Sequence, residues 1–170
     1  VVRKHIQKLR GRIEVQSSAG QGTTFLLKLP LTLAILDGLV IGVGGERYIV
    51  PLFAVREIFR PTSDMITKVE GAGEAVLIRG RLLPIFRLYE WLGVKPRTED
   101  PADSVFIVTE DGGRQRAIMV DEFTGKQEVV IKSLGETMKN IPGLAGGTIL
   151  GDGRVGLVLD LEGLFEHSHV

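Results

Sequence analysis

Apolar positions in this chain come in short blocks separated by glycine pairs, and the blocks repeat. Residues 39–41 (Leu-Val-Ile) and 48–50 (Tyr-Ile-Val) flank Gly44-Gly45-Glu46. Two glycines can take the positive φ of a tight strand-to-strand turn. With β-branched, aromatic and aliphatic residues on either side, they predict a β-hairpin over residues 37–51. A second copy runs from Ser104 through Val105-Phe106-Ile107-Val108-Thr109, turns at Asp111-Gly112-Gly113 and returns over residues 114–120. The likeness extends further: residues 78–92 align with 151–165 when Gly80 is laid on Gly153. The offset there is 73 (153 − 80), against 68 (113 − 45) for the hairpin glycines, so an insertion of 5 residues lies between. In both halves a glycine turn separates two apolar strands, and the second strand runs into one short amphipathic helical turn. The pattern predicts a mainly β protein with two small β-barrels of like topology, near residues 36–97 and 102–165, with exchange of strands between them left open.

Other segments are read from the same periodicities. Val2, Ile6 and Leu9 recur at helical spacing, with Arg3, Lys4, Lys8 and Arg10 elsewhere on the wheel and Gly11 placed to cap the end. A helix that opens without a capping residue predicts that the chain is a piece of something longer. Residues 12–17 alternate apolar and polar, 18–22 form a turn, and 23–29 alternate again before Pro30. One helix and two strands bury little, so this segment is expected to pack on the rest or fray. In Leu82-Leu83-Pro84-Ile85-Phe86, alternation sends Leu82 and Pro84 one way and Leu83 and Ile85 the other. Pro84 cannot donate to a ladder, which predicts an edge strand. Tyr89, Trp91 and Leu92 read as core on a short helix ended by Gly93. Residues 71–73 and 96–101 read as flexible, the second as the border between barrels. A short helix is predicted from Leu134 to Lys139, ended by Ile141-Pro142-Gly143, and Gly146-Gly147 then admit a strand over residues 148–150.

Composition narrows the function. The 170 residues, 44% of them hydrophobic, suffice for two modest cores. Lys plus Arg and Asp plus Glu both number 21, so no net field draws in nucleic acid or an acidic membrane surface. With no cysteine there is neither a disulfide framework nor a thiolate metal site, which agrees with a cytoplasmic location. The most apolar run, residues 29–43, is broken by Pro30, Asp37 and Gly38, well short of the roughly 20 residues a membrane helix needs. Arg3, Lys4, Lys8 and Arg10 interrupt any signal-peptide core. A soluble protein is expected.

At this point the residues resemble a known family. Val2-Arg3, then Leu9-Arg10-Gly11-Arg12-Ile13-Glu14-Val15, Gly20-Gln21-Gly22-Thr23-Thr24-Phe25 and Leu29-Pro30-Leu31-Thr32-Leu33-Ala34-Ile35, resemble the last part of the ATP-binding domain of the bacterial chemotaxis histidine kinases, the CheA family. The Leu-Pro-Leu-Thr-Leu-Ala-Ile junction is the more specific signal. Residues 36 to about 165 resemble that family's C-terminal regulatory domain, which is similar to the coupling protein CheW. The resemblance implies a helix-strand-strand remnant of a GHKL ATPase α/β sandwich over residues 1–33, followed by a CheW-like domain of two SH3-like barrels over 34–170. It also implies a scaffold and regulatory role in two-component signal transduction, with CheW, the cytoplasmic tip of chemoreceptors and the rest of the kinase as partners. The implied location is cytoplasmic, in receptor arrays reached through those partners.

The candidate residues fall into two groups. Gly22 and Thr23 have two readings, as backbone N–H groups and a hydroxyl facing a nucleotide phosphate, or as an ordinary hairpin turn. The resemblance makes them a remnant of an ATP site. It places the family's asparagine box, aspartate-bearing glycine box and phosphate-lid glycines upstream of Val1, so no cofactor is expected here, ATP and magnesium belonging to the parent kinase. No catalytic residue and no metal site is assigned: His5 reads as a helix-surface residue and His167 and His169 as a terminal tail. The pairs Glu110-Asp111 and Asp121-Glu122 are adjacent in sequence and do not converge on a shared substrate.

The second group is the docking candidate Val55, Glu57, Ile58 and Phe59, with Arg79, Leu82 and Pro84. Ile58 and Phe59 are neighbours, so either one is buried and the other exposed or half exposed among charges, a common partner-docking feature, or both are core at a strand corner. The CheW-like resemblance places the strand pair of Arg79 beside this segment, so an ion pair between Glu57 and Arg79 is expected to shape that face. The competing reading is a nucleotide-binding enzyme with phosphotransfer activity in this chain. A third, a free-standing adaptor of the CheW type, leaves residues 1–30 unexplained.

Overall fold

The computed structural model describes residues 2–8, 12–29, 34–71, 73–132, 134 and 141–166. Gly11, the junction residues 30–33, His167, His169 and all but Leu134 of the helix expected at 134–139 lie outside them. The chain divides into two units, residues 1–34 and 35–170.

The first unit holds helix α1 (Val2–Lys8) and the antiparallel strands β1 (Arg12–Ser18) and β2 (Gly22–Lys28). Val15 stands opposite Phe25 and Ile13 opposite Leu27, so one side of the hairpin is apolar. Val15, Phe25 and Leu27 are exposed.

The second unit contains strands β3 (Ala34–Val43), β4 (Glu46–Pro51), β5 (Val55–Phe59), β6 (Ile66–Val69), β7 (Gly73–Ile78) and β8 (Arg81–Arg87), then helix α2 (Leu88–Leu92). There follow β9 (Val105–Asp111), β10 (Arg114–Val120), β11 (Glu122–Ile131), β12 (Leu144–Ile149), β13 (Val155–Leu159) and helix α3 (Leu161–Glu166). Both predicted glycine hairpins form. Gly44 and Gly45 have φ of 61° and 86°, and Gly112 and Gly113 have 56° and 79°, the paired positive angles of a type I′ turn.

Each large sheet takes strands from both halves. One sheet has the order β11-β3-β4-β13-β12 and the other β5-β9-β10-β8-β7-β6. In each, the second strand of a glycine hairpin pairs in parallel with a strand from the opposite half: β4 with β13 (Tyr48 opposite Leu157) and β10 with β8 (Ile118 opposite Phe86). Neither sheet therefore coincides with a contiguous block of sequence. In the five-stranded sheet the outer strands meet. The Lys132 N–H donates to the Gly147 carbonyl at 2.8 Å and the Gly147 N–H to the Lys132 carbonyl at 3.0 Å. The repeat offset also has a structural counterpart, since β11 has 10 residues where β5 has 5.

Side-chain alternation divides the apolar blocks between two directions. From β3, Leu39, Ile41 and Val43 enter a central cluster with Tyr48, Val50, Phe86, Leu88, Val105, Ile107, Ile118, Val120, Leu159, Leu161 and Leu164. The intervening residues point away from it, into two smaller cores. Val40, Ile49, Val129, Leu150 and Val158 fill one, and Val76, Leu83, Phe106, Val108, Ala117 and Met119 fill the other. The central strands are buried on both faces, which is why their sequence reads as continuous apolar runs. Fully burying one such side chain contributes roughly 1.5–3 kcal/mol, and the largest cluster draws on both halves.

One expectation is corrected. β8 is not an edge strand: it runs between β10 and β7. Pro84 is tolerated because β7 pairs with residues 81–84 and β10 with residues 85–87, so the missing N–H falls where one neighbour hands over to the other. Of the two readings for Ile58 and Phe59, the structure favours the one in which both pack on cores at this strand. Both are half-buried, because β5 is covered on each side: Ile58 packs on the central cluster and Phe59 on the Phe106 core.

Candidate functional site

The charged group on β5 and the β7–β8 turn comes together at one mouth of the six-stranded sheet. Arg79 and Gly80 form the two-residue turn, with φ of 49° and 77°. Arg79 is the one non-glycine residue with positive φ among those described, and the turn aims its guanidinium across at β5. There Arg79 Nη2 donates to Glu57 Oε1 at 3.2 Å, with the arginine side chain 80% exposed and the glutamate 33%. Beside it, Arg56 Nε donates to Glu110 Oε2 at 3.2 Å and Gln115 Nε2 donates to the same oxygen at 2.9 Å. These donors hold the Glu110 carboxyl below the usual carboxylate range, the Gln115 bond most strongly and the Arg56 bond and charge next.

The two ion pairs frame a cavity of about 420 Å³ lined by Arg56, Glu57, Arg79, Arg81 and Gln115 around Ile78, Leu83 and Val108. The apolar floor belongs to the small core of that sheet. Of the other docking candidates, Val55 is half-buried against the central cluster, and Leu82 and Pro84 are exposed on the outer face of β8. Leu82 has a partner the sequence reading missed. Leu77 stands opposite it across the β7–β8 ladder and is 45% exposed, so the pair forms an apolar patch on one hairpin. Phe53, also missed, is 76% exposed just before β5, and its carbonyl accepts from Arg56 Nη1 at 3.3 Å. A strict alternation count over residues 74–78 would have found Leu77. Phe53 lies in a short 3-10 segment where no period applies.

The remaining candidates lie elsewhere. Gly22 has a φ of 96° and opens β2, and Thr23 Oγ1 lies 3.0 Å from Ser17 Oγ across the same hairpin. His5 is on α1, its side chain outside the described residues. Among the described residues, no group of three or more His, Asp or Glu is placed to hold a metal, and no helix is long and apolar enough to cross a membrane. The adjacent acids have separate tasks. Glu122 pairs with Arg47, whereas Asp121, buried, accepts from the backbone amides of Gly44 at 2.8 Å and Arg97 at 3.0 Å.

Comparison with known proteins places this geometry. The chain is 37% identical over 164 residues to chemotaxis protein CheA of Salmonella typhimurium, covering 96% of this chain and 24% of that one. It is 41% identical over 169 residues to chemotaxis protein CheA of Rhizobium meliloti, covering 99% and 22%. With the sensor histidine kinase CheAY of Helicobacter pylori it shares 39% identity over 166 residues, covering 98% and 20%. The chain thus spans a quarter or less of these relatives. The fold is similar to that of the scaffolding protein TtCheW from Thermoanaerobacter tengcongensis, with a TM-score of 0.67 at 21% identity, covering 81% of this chain and 97% of that one. The CheW-like domain family matches residues 37–169, and the chain accordingly belongs to the CheW-like domain family.

Proposed function

We propose that this chain is the regulatory and scaffold region of a chemotaxis histidine kinase of the CheA type, and that it binds a CheW-type coupling protein and the cytoplasmic tip of chemoreceptors. The observation that carries the reading is the mouth of the six-stranded sheet. The charged rim held by Glu57 and Arg79 surrounds an apolar floor of Ile78 and Leu83, and exposed Leu77 and Leu82 lie on the opposite face of the same hairpin, on a fold shared with a scaffolding protein. Apolar patches rimmed by charge mark protein-docking faces. Residues 1–33 are read as the end of an ATP-binding domain, with Gly22 and Thr23 a remnant of its site. The match to CheA relatives over nearly the whole of this chain, residues 1–33 included, supports this.

The mechanism is positional. Partner contacts on the CheW-like domain bias how the ATP-binding domain meets its phospho-acceptor, and residues 29–36 are the connection through which that bias travels. Receptor arrays are then reached through partners rather than through the bilayer. Calorimetric titration with a coupling protein tests the reading: saturable binding that Glu57→Arg or Arg79→Glu weakens is expected, and unchanged binding in both variants excludes this face. Phosphotransfer by the chain alone would favour the enzyme reading instead. Receptor control that survives a Gly-Ser replacement of residues 29–36 in the full kinase would exclude the proposed route.

A further inference from the structure

The mouth framed by Glu57 and Arg79 has a counterpart in the other sheet. A cavity of about 270 Å³ there is lined by Val40, Arg47, Lys126, Leu150 and Asp152, among others. Val40 and Arg47 precede Val108 and Gln115 by the same 68 residues (108 − 40, 115 − 47) that separate the hairpin glycines, and Asp152 follows Arg79 by the 73 residues (152 − 79) of the second register. The two cavities are thus duplicates of one feature, with different side chains.

The difference is in charge and shape. Three guanidinium groups line the larger mouth. Arg56 is matched by Glu110 and Arg79 by Glu57, while Arg81 makes no direct ion pair among the described residues, its charge acting on Glu110 only at longer range, and stands at the edge of the apolar floor of Ile78 and Leu83. In the smaller mouth the position of Arg79 is taken by Asp152, which pairs with Arg154 at 3.8 Å, Arg47 pairs with Glu122, and the lining cation without an ion pair among the described residues is Lys126. A guanidinium presents a planar fork of donors that fits both oxygens of a carboxylate, whereas a lysine offers a point charge, and Asp152, though paired with Arg154, adds negative charge at this mouth. A floor of aliphatic carbons beside a guanidinium with no direct ion-pair partner among the described residues suits a side chain with methylenes below its carboxylate.

We propose that the mouth of the six-stranded sheet receives a single acidic side chain, glutamate or aspartate, presented by a protein partner, that Arg81 is the cation that binds it, and that the duplicate mouth does not take it. The inference rests on the docking reading above and names the chemistry its partner must present.

The test titrates the whole chain, wild type and variant, with the coupling protein at several salt concentrations. Arg81→Ala is expected to weaken binding about tenfold and Arg81→Glu further, with Arg81→Lys between wild type and alanine. The salt dependence of affinity should flatten in the alanine variant. Lys126→Glu, in the duplicate mouth, should bind as wild type does. Circular dichroism establishes that each variant is folded. If Arg81→Glu binds like wild type while Glu57→Arg does not, the role of Arg81 is overturned and the docking face stands. If Lys126→Glu weakens binding as much as Arg81→Glu, the choice of mouth is overturned. If the wild-type chain fails to bind, the docking reading falls and this inference with it.

Discussion

Asp121 Oδ2 accepts from the backbone amide of Gly44, 77 positions away in the chain, at 2.8 Å, and so fastens the first glycine hairpin to the end of β10. The same oxygen accepts from the Arg97 amide at 3.0 Å, and the Asp121 amide donates to the Gly42 carbonyl at 3.0 Å. Asp121→Ala leaves two amides unpartnered where water reaches poorly. Hydrogen bonds to a charged group are worth about 1.5–3 kcal/mol each, and they do not add in full. A loss of about 3 kcal/mol is expected, read as a fall in Tm of about 6–12 °C. Asp121→Asn keeps an acceptor and should lose about half as much; equal losses in the two would argue against a role for the charge.

Thr109 presents the opposite case. Its side chain is fully buried, and its hydroxyl oxygen has no hydrogen-bond partner among the described residues. A stranded buried hydroxyl costs about 1–3 kcal/mol, and valine has nearly the same shape. Thr109→Val should therefore raise stability by about 1–2 kcal/mol in chemical denaturation, while Thr109→Ser, which keeps the hydroxyl and loses a methyl, should lower it. A valine variant less stable than wild type would show that the hydroxyl is satisfied.

Arg79 separates stability from recognition. Its φ of 49° is costly for a residue with a Cβ, about 1 kcal/mol, and its ion pair with Glu57 is too exposed to return more than about 0–1 kcal/mol. Asparagine adopts this conformation more readily. Arg79→Asn should match or exceed the wild-type Tm while weakening coupling-protein binding. A variant that unfolds early would mean that the ion pair holds the sheet together.

Much of this fold was legible in the chain. The glycine pairs at 44–45 and 112–113 announced hairpins because few residues other than glycine reach two successive positive φ values cheaply, and the duplicated blocks announced two related sheets. The partners of those strands were not legible. That β4 lies beside β13 and β10 beside β8 depends on contacts more than 30 residues away (118 − 86, 157 − 48), for which local periodicity carries no information. Pro84 was misread for the same reason, since a missing N–H shows that a bond is absent but not that two neighbours share the strand. At the site, the pairing of Glu57 with Arg79 follows from the strand placement that the family resemblance implies, and Leu82 follows from alternation. Leu77, Arg81 and the role of Asp121 needed the register of the sheet.

Because each sheet borrows strands, the halves should not fold alone. A piece covering residues 35–100 retains β3 to β8 but loses β13 from beside β4 and β10 from beside β8. It also loses Val105, Ile107, Ile118, Leu159 and Leu164 from the central cluster. Expressed separately, pieces 35–100 and 101–166 should each lack a cooperative thermal transition, and mixing them should restore one. A cooperative transition in either piece by itself would show that a single half carries a sufficient core.

Glu110 gives the docking mouth a pH dependence whose sign is fixed. Its carboxyl is held below the ordinary value of 4.5 by the Gln115 side-chain bond first and by Arg56 next. A carboxyl with a lower pKa in the folded than in the unfolded chain contributes stability that is fully present above the unfolded value, here 4.5, and is lost as pH falls through the folded value. Glu110→Gln removes that titration while preserving much of the shape. The stability difference between wild type and variant should stay constant from neutral pH down to about 5, then shrink steadily as acid is added. Denaturant titrations at a series of pH values measure it, and two curves that remain parallel into the acid range would show that Glu110 does not carry the effect. Arg56, which shares this carboxylate and lines the cavity, loses its partner in the same window, so coupling-protein affinity should change over the pH range in which stability does.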